Sequence, residues 1–421
     1  MSDTRAILPA QGEDWEPLRE RLTGLAKDDI DWRNQRTAVY VFHPGEDVLK
    51  VAKEAYALYQ SENALGPAAF PSLKRMETDV IGMATRLMHG PPDATGNMTS
   101  GGTESIILAT KSCRDAAEAK GIDVRGAKLV VPRTAHLAFD KAAHYLGLEM
   151  VRVDVTKDFL ADPEAMRAAI DERTIMLVGS APCFPYGLID PIPALGEIAA
   201  EHDLWFHVDA CVGGYLNPFA EMEGAALPAW DFRVDAVTSI SADLHKYGYA
   251  AKGASTVLHR EPTTHGFQLF QADDWPAGSM TTPTVAGTRP GGAIASAWAV
   301  MHFLGEAGYR ERVQRMIEAR EKLSLGIEAL GLRVFGDPRL SLFSFGAEAG
   351  DDLAIFLVWK AMHDRGWFSG VVQNPDGIHL MLSPSHAQVA DEYLADLAEA
   401  VRIARGAPSP TGAGDTPVRY A

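Results

Sequence analysis

Short apolar runs alternate with longer amphipathic patterns between residues 97 and 260. KLVV (128–131), VRVDV (151–155), TIMLVG (174–179), LWFHVDA (204–210), DAVTSI (235–240) and STVLH (255–259) have the length and β-branched content of strands. TESIILATKSCRDAAEAKG (103–121) and IPALGEIAAEHD (192–203) carry apolar residues at helical spacing. Such alternation predicts a mostly parallel sheet covered by helices. Before it lies an arm, residues 1–60, with helical patches such as DVLKVAKEAYALYQSE. After it, a Gly-rich turn, AGTRPGG (286–292), feeds a helix, and YRERVQRMIEAREKLSLGIEALG (309–331) reads as a charged amphipathic helix. The pattern then becomes mixed. The expected organisation is an arm over 1–60, a large domain over 61–314, a smaller α+β domain over 315–405, and a loosely ordered Gly/Pro-rich tail over 406–421.

Composition narrows the partners. The 421 residues suffice for a large core, and 47% apolar with 23% charged residues is ordinary for a soluble globular chain. A formal charge of −17 argues against nucleic acid or an anionic membrane surface, though not against one small anion in a locally positive pocket. Three cysteines without a CxxC pair suggest neither a disulfide framework nor a zinc site, and point to a reducing, cytoplasmic setting. The acidic N-terminus is unlike a signal peptide, and no apolar run approaches the roughly 20 residues of a membrane span.

Three segments bear chemistry. TSGGTES (99–105) joins a flexible glycine turn to a helix start whose free N–H groups suit an anion, so that Ser100, Gly102 and Thr103 can hold a phosphate; an ordinary capped turn would read the same. HVDACVGG (207–214) ends an apolar strand on Asp209, where α/β folds place ligand-binding groups. A carboxylate buried there needs a partner, and a protonated ring nitrogen is a suitable one; capping the next loop is the alternative. SISADLHKYGYAAKG (239–253) places Lys246 where a partly desolvated amine can form a Schiff base with an aldehyde, although most loop lysines are simply solvated. Together a phosphate cradle, an acid for a pyridinium nitrogen and an aldehyde-binding lysine are what pyridoxal 5'-phosphate requires. His136 can stack on the ring or serve as a satisfied core histidine.

NMTSGGTESIILATKSCRD, HVDACVGGYLNPF and SISADLHKYGYAAKGAS resemble sphingosine-1-phosphate lyases, within the group II decarboxylase-like proteins of the aspartate-aminotransferase fold, fold type I. The resemblance runs from RTAVYV at residue 36 to GWFSGVVQNPDGIHLML near residue 382. It implies that Lys246 binds the cofactor aldehyde, Asp209 pairs with the pyridine nitrogen and His136 stacks on the ring. Gly102, Thr103, Ser241 and His245 match phosphate contacts. Tyr40, Tyr186 and Lys252 match positions near the substrate. The family builds its active sites across a homodimer interface, so Gly287 and Thr288 would reach the neighbouring subunit's phosphate.

One segment departs from the pattern. The motif resembling NxLHPDxFP reads NALGPAAFP here, with Gly66 in place of His on the substrate side. The membrane span of eukaryotic relatives is also missing, which suggests a soluble bacterial type. The implied reaction is retro-aldol cleavage of a β-hydroxy amine, with Lys252 or Tyr186 as base. Amino-acid α-decarboxylation and cofactor binding without turnover remain the alternatives.

Overall fold

The computed structural model describes residues 5–406. The tail expected over 406–421 lies, beyond Gly406, outside the described residues. Seven strands form the main sheet: β1 Thr95–Thr99, β2 Lys128–Pro132, β3 Glu149–Val153, β4 Thr174–Ser180, β5 Trp205–Asp209, β6 Val237–Ala242 and β7 Ser255–His259. Their order is β1-β7-β6-β5-β4-β2-β3. The pairs from β3 through β6 are parallel, and β7 runs antiparallel to both β6 and β1.

The sheet is buried on both faces, which is why its central strands read as unbroken apolar runs. All seven residues of β4 are buried. Alternation sends Val130, Leu177, Phe206, Val208 and Ile240 to one face, against Leu73 and Val80 of helix Pro71–Leu87 and Leu195 and Ile198 of helix Ile192–Glu201. Leu129, Val131, Met176 and Val178 go to the other, against Ile106 of helix Gly102–Ala119 and Phe139 of helix Ala138–Leu146. Each such fully buried side chain stabilises the fold by about 1.5–3 kcal/mol relative to exposure.

β1 escapes the sequence reading. Its residues TGNMT are mostly polar, and only the last two are buried, because it sits at the sheet edge. The two helices expected on either side of residue 308 form one run, Gly291–Ala329, broken only at Gly305 with φ 53° and ψ −175°. Glycine takes that left-handed φ without the Cβ clash that other residues suffer. The boundary expected between residues 314 and 315 falls inside this run.

A second, antiparallel sheet follows, with strands in the order Leu332–Val334, Leu342–Ala347, Gly377–Met381, Gly370–Val372. Helices Ile355–His363 and His386–Gly406 share its core. Chain from the arm joins it, since Ala38 N–H donates to Phe368 O and Met381 N–H donates to Ala38 O. The architecture is a large domain with a mostly parallel sheet and a smaller C-terminal domain built on an antiparallel one. β1, β2, β4, β5 and β6 all end at one edge of the main sheet, the edge where open α/β sheets bind ligands.

Candidate active site

At that edge lies a cavity of about 400 Å³, within the usual range for a cofactor site. Ser100, Gly101, Gly102, Thr103, His136, Asp209, His245 and Lys246 all line it, although they come from four separate segments. Each segment follows the end of a strand: the glycine turn after β1, His136 after β2, Asp209 at the end of β5, and Asp243–Lys246 after β6.

The glycine turn opens an 18-residue helix, so its N–H groups and the helix dipole face the cavity. A Cβ on Gly102 would lie 2.7 Å from Cys211 Sγ and 2.9 Å from both carboxylate oxygens of Asp243. Any larger residue would force Cys211, Asp243 or the turn itself to shift.

Lys246 is 22% exposed and pairs with Asp243 Oδ2 at 3.0 Å. Burial alone would lower its ammonium pKa, but the attraction of Asp243 and, more weakly, Asp209 reverses this and raises it above the ordinary lysine value. Burial likewise pushes Asp243 up, and the charges of Lys246 and His245 outweigh it, leaving Asp243 below the usual carboxylate range. Asp243 Oδ1 is buried with no hydrogen-bond partner. Sequence reading passed over Asp243; its position three residues before Lys246 was the available signal.

Asp209 is 7% exposed. Its Oδ1 accepts from Cys211 N–H at 3.0 Å and from Ser241 Oγ–H at 3.3 Å. His136 Nδ1 accepts from Ala138 N–H at 3.1 Å, which leaves the ring proton on Nε2. Burial holds His136 below its ordinary pKa despite the pull of Asp209, so the ring is neutral. His245 is pushed down to about 4, chiefly by burial.

Other expected residues are not part of the cavity lining, although Lys252 reaches its edge through His245. Ser241 sits fully buried behind Asp209, bonded to that carboxylate and to His207. Tyr186 is also buried, packed on Phe159 with its hydroxyl donating to Asn374 O at 3.3 Å. Phe184 and Pro182, which sequence reading did not single out, form the cavity wall beside it. Lys252 donates to Tyr40 O at 3.3 Å and to His245 O at 3.2 Å, with its ammonium 5.0 Å from the Phe42 ring centre. Burial, followed by repulsion from Lys246, lowers its pKa to about 8. The Tyr40 side chain is 46% exposed.

Gly287 and Thr288 lie outside the cavity, on a loop that Glu104 anchors. Glu104 Oε2 accepts from Ser100 N–H at 2.6 Å, and Oε1 accepts from Val285 N–H at 2.9 Å. This carboxylate thus ties the glycine turn to the Gly287–Thr288 loop. Gly66 neighbours the same loop through Leu65, whose Cδ1 would lie 3.9 Å from a Cβ on Gly287.

A glycine-lined cradle, a lysine amine and a buried carboxylate converging on one cavity of this size define the donor set of a pyridoxal-phosphate enzyme, and the residues present fit that group. Residues 5–345 match the family described as the pyridoxal-dependent decarboxylase conserved domain. The chain is 39% identical over 420 residues to sphingosine-1-phosphate lyase of Arabidopsis thaliana, covering 98% of this chain and 76% of the relative. It is 40% identical over 398 residues to sphingosine-1-phosphate lyase 1 of Rattus norvegicus, covering 94% and 69%. The solved sphingosine-1-phosphate lyase of Burkholderia pseudomallei superposes with TM-score 0.91 at 37% identity, over 96% of this chain and 94% of that one. Glutamate decarboxylase of Lactobacillus brevis, at 21% identity and TM-score 0.83 over 97% of each chain, shares the fold. The chain therefore belongs to the sphingosine-1-phosphate lyase family of pyridoxal-dependent enzymes. It is a lyase whose cofactor is pyridoxal 5'-phosphate.

Proposed function

We propose that this lyase cleaves the Cα–Cβ bond of a β-hydroxy amine, a phosphorylated long-chain base or a related molecule, releasing an aldehyde and an amine. The convergence of Lys246, Asp209, His136 and the glycine turn on one cavity carries the proposal, in a chain about 40% identical to lyases of that substrate. When bound, pyridoxal phosphate supplies the electron sink for the bonding pair of the broken bond. Gly102, Thr103 and His245 would hold its phosphate, Lys246 its aldehyde carbon, and His136 one face of its ring. Asp209 would keep the ring nitrogen protonated, because an adjacent negative charge favours the cation.

Lys252 would take the proton of the substrate's β-hydroxyl. Only the neutral amine can do so, and its share grows as pH rises through about 8. The kcat/KM profile should therefore climb with pH and level off above about 8. Lys252→Arg, cationic throughout, should lose that limb and about a hundredfold in rate. An unchanged limb in the variant would assign the base elsewhere.

Position 66 bears on the substrate's phosphate. A Cβ there would meet only Ala69 Cβ at 3.9 Å, so a side chain can start from this position without a clash at its β-carbon. Gly66→His should raise kcat/KM for a phosphorylated long-chain base by about tenfold relative to its dephosphorylated form. Equal changes for both substrates would remove position 66 from phosphate recognition.

The working unit would be a cytoplasmic homodimer. Leu65, Phe270, Trp275 and Val285 expose apolar surface on and around the Gly287–Thr288 loop, and helix Trp15–Leu25 buries none of its residues. A second copy would cover both and bring Gly287 and Thr288 to its partner's phosphate. No helix among the described residues is long and apolar enough to cross a membrane. The deciding assay incubates the holoenzyme with a phosphorylated long-chain base and measures aldehyde, in parallel with carbon dioxide release from an amino-acid panel. Aldehyde without carbon dioxide supports the proposal; the reverse result replaces it with decarboxylation.

A further inference from the structure

Behind Asp209, buried side chains form a line running away from the cavity. Trp205 Nε1 lies 2.8 Å from Ser239 Oγ, Ser239 Oγ 2.8 Å from His207 Nδ1, His207 Nε2 3.1 Å from Ser241 Oγ, and Ser241 Oγ 3.3 Å from Asp209 Oδ1. Ser239, His207 and Ser241 are fully buried, and Trp205 is 8% exposed. The line follows from strand geometry. Trp205, His207 and Asp209 are alternate residues of β5 and share a face, and Ser239 and Ser241 stand opposite His207 and Asp209 on β6.

The two ends of this line set its direction. An indole nitrogen only donates, and a carboxylate only accepts. Burial holds His207 neutral, its pKa pushed down to about 4, so its ring carries one proton. Ser239 Oγ accepts from the indole and has one proton to give, which His207 Nδ1 can take. The imidazole proton then sits on Nε2 and goes to Ser241 Oγ, and the Ser241 hydroxyl proton goes to Asp209. Every donor meets an acceptor.

The other tautomer fails twice. With the proton on Nδ1, Ser239 would receive two donors, and its own proton would lose His207 as acceptor in a fully buried site. Ser241 would give its proton to His207 Nε2 and face Asp209 oxygen to oxygen.

We propose that Trp205, through Ser239, His207 and Ser241, is a positioning residue that fixes the His207 tautomer and keeps a hydroxyl donor aimed at Asp209. The inference rests on the reading that Asp209 pairs with the cofactor's ring nitrogen, and it adds the device that keeps this carboxylate oriented. Trp205 stands at the opposite end of β5 from the cavity, so its effect travels the length of the strand.

The test uses holoenzyme with isotope-labelled histidine and a cofactor labelled at the ring nitrogen. Nitrogen NMR then reads the His207 tautomer and the ring protonation directly, with His207→Gln identifying the signal. The wild type should carry its proton on Nε2. Trp205→Phe, which keeps an aromatic ring but removes the donor, should give a mixture of tautomers and lower kcat about threefold at constant KM. Ser241→Ala should move the ring-nitrogen signal toward the unprotonated form and lower kcat about tenfold.

An Nδ1 proton in the wild type would overturn the proposal. So would unchanged tautomer and ring signals in both variants while Asp209→Asn shifts the ring signal. If Asp209→Asn also leaves the ring signal unmoved, the pairing of Asp209 with the ring nitrogen is wrong, and the relay loses its purpose with it.

Discussion

Lys246→Ala should abolish the lysine-bound cofactor chromophore and lower turnover by at least about a thousandfold, because no other amine among the described residues lines the cavity. Spectra of the reconstituted protein and steady-state aldehyde release would check both. The variant carries a second cost. It strands the Asp243 carboxylate, 2% exposed and paired to Lys246 at 3.0 Å, and breaking such a pair from one side costs about 3 kcal/mol. Cofactor-free Lys246→Ala should therefore melt earlier than the cofactor-free wild type, and adding Asp243→Asn should recover much of the loss by neutralising the orphaned charge. A Lys246→Ala protein that retains the chromophore would place the aldehyde-binding amine elsewhere.

Asp209→Asn should keep the chromophore yet lose turnover by about a hundredfold or more. The amide oxygen can still accept from Cys211 N–H, so the local backbone needs no rearrangement. What would disappear is the charge proposed to favour a protonated ring nitrogen. A bound ring would then be a weaker electron acceptor for the Cα–Cβ bonding pair. Steady-state kinetics with the ring-nitrogen signal would separate this from a folding defect, because a misfolded site would lose the chromophore as well. Full activity in Asp209→Asn would remove that carboxylate from the chemistry.

The two variants probe residues that sequence reading reached by the same kind of signal. Lys246 and Asp209 each stand in a motif whose composition suits the cofactor: a lysine among small and aromatic residues, and an acid ending an apolar strand. His136 carried no such local signal beyond the family resemblance. Asp243 and Glu104 were passed over, because an acid near a lysine or a glutamate in a helix's first turn reads as routine pairing or capping. Only when the segments after β1 and β6 meet does Asp243 come to lie beneath Gly102. Likewise the Glu104 carboxylate meets the Val285 amide only because the chain returns, 181 residues later, to the same place. The motif match named Ser241 as a phosphate contact without showing that its hydroxyl lies between Asp209 and His207, which strand pairing alone decides.

Local sequence decided the central strands of the sheet and two of its covering helices, since burial on both faces forces continuous apolar runs that need no knowledge of neighbours. It also decided the cofactor, whose demands on residue type are strict enough to be met in three short motifs. It did not decide β1, whose polar residues become a strand only by pairing with β7. Nor did it decide which side chains face the cavity and which stand behind it. That depends on strand register: a shift of one residue between β5 and β6 would turn Ser241 away from Asp209. The charge on Lys246, the orientation of Asp209 and the space beside Gly66 all arise from contacts between segments distant in the chain, and those contacts exist only once the fold has closed.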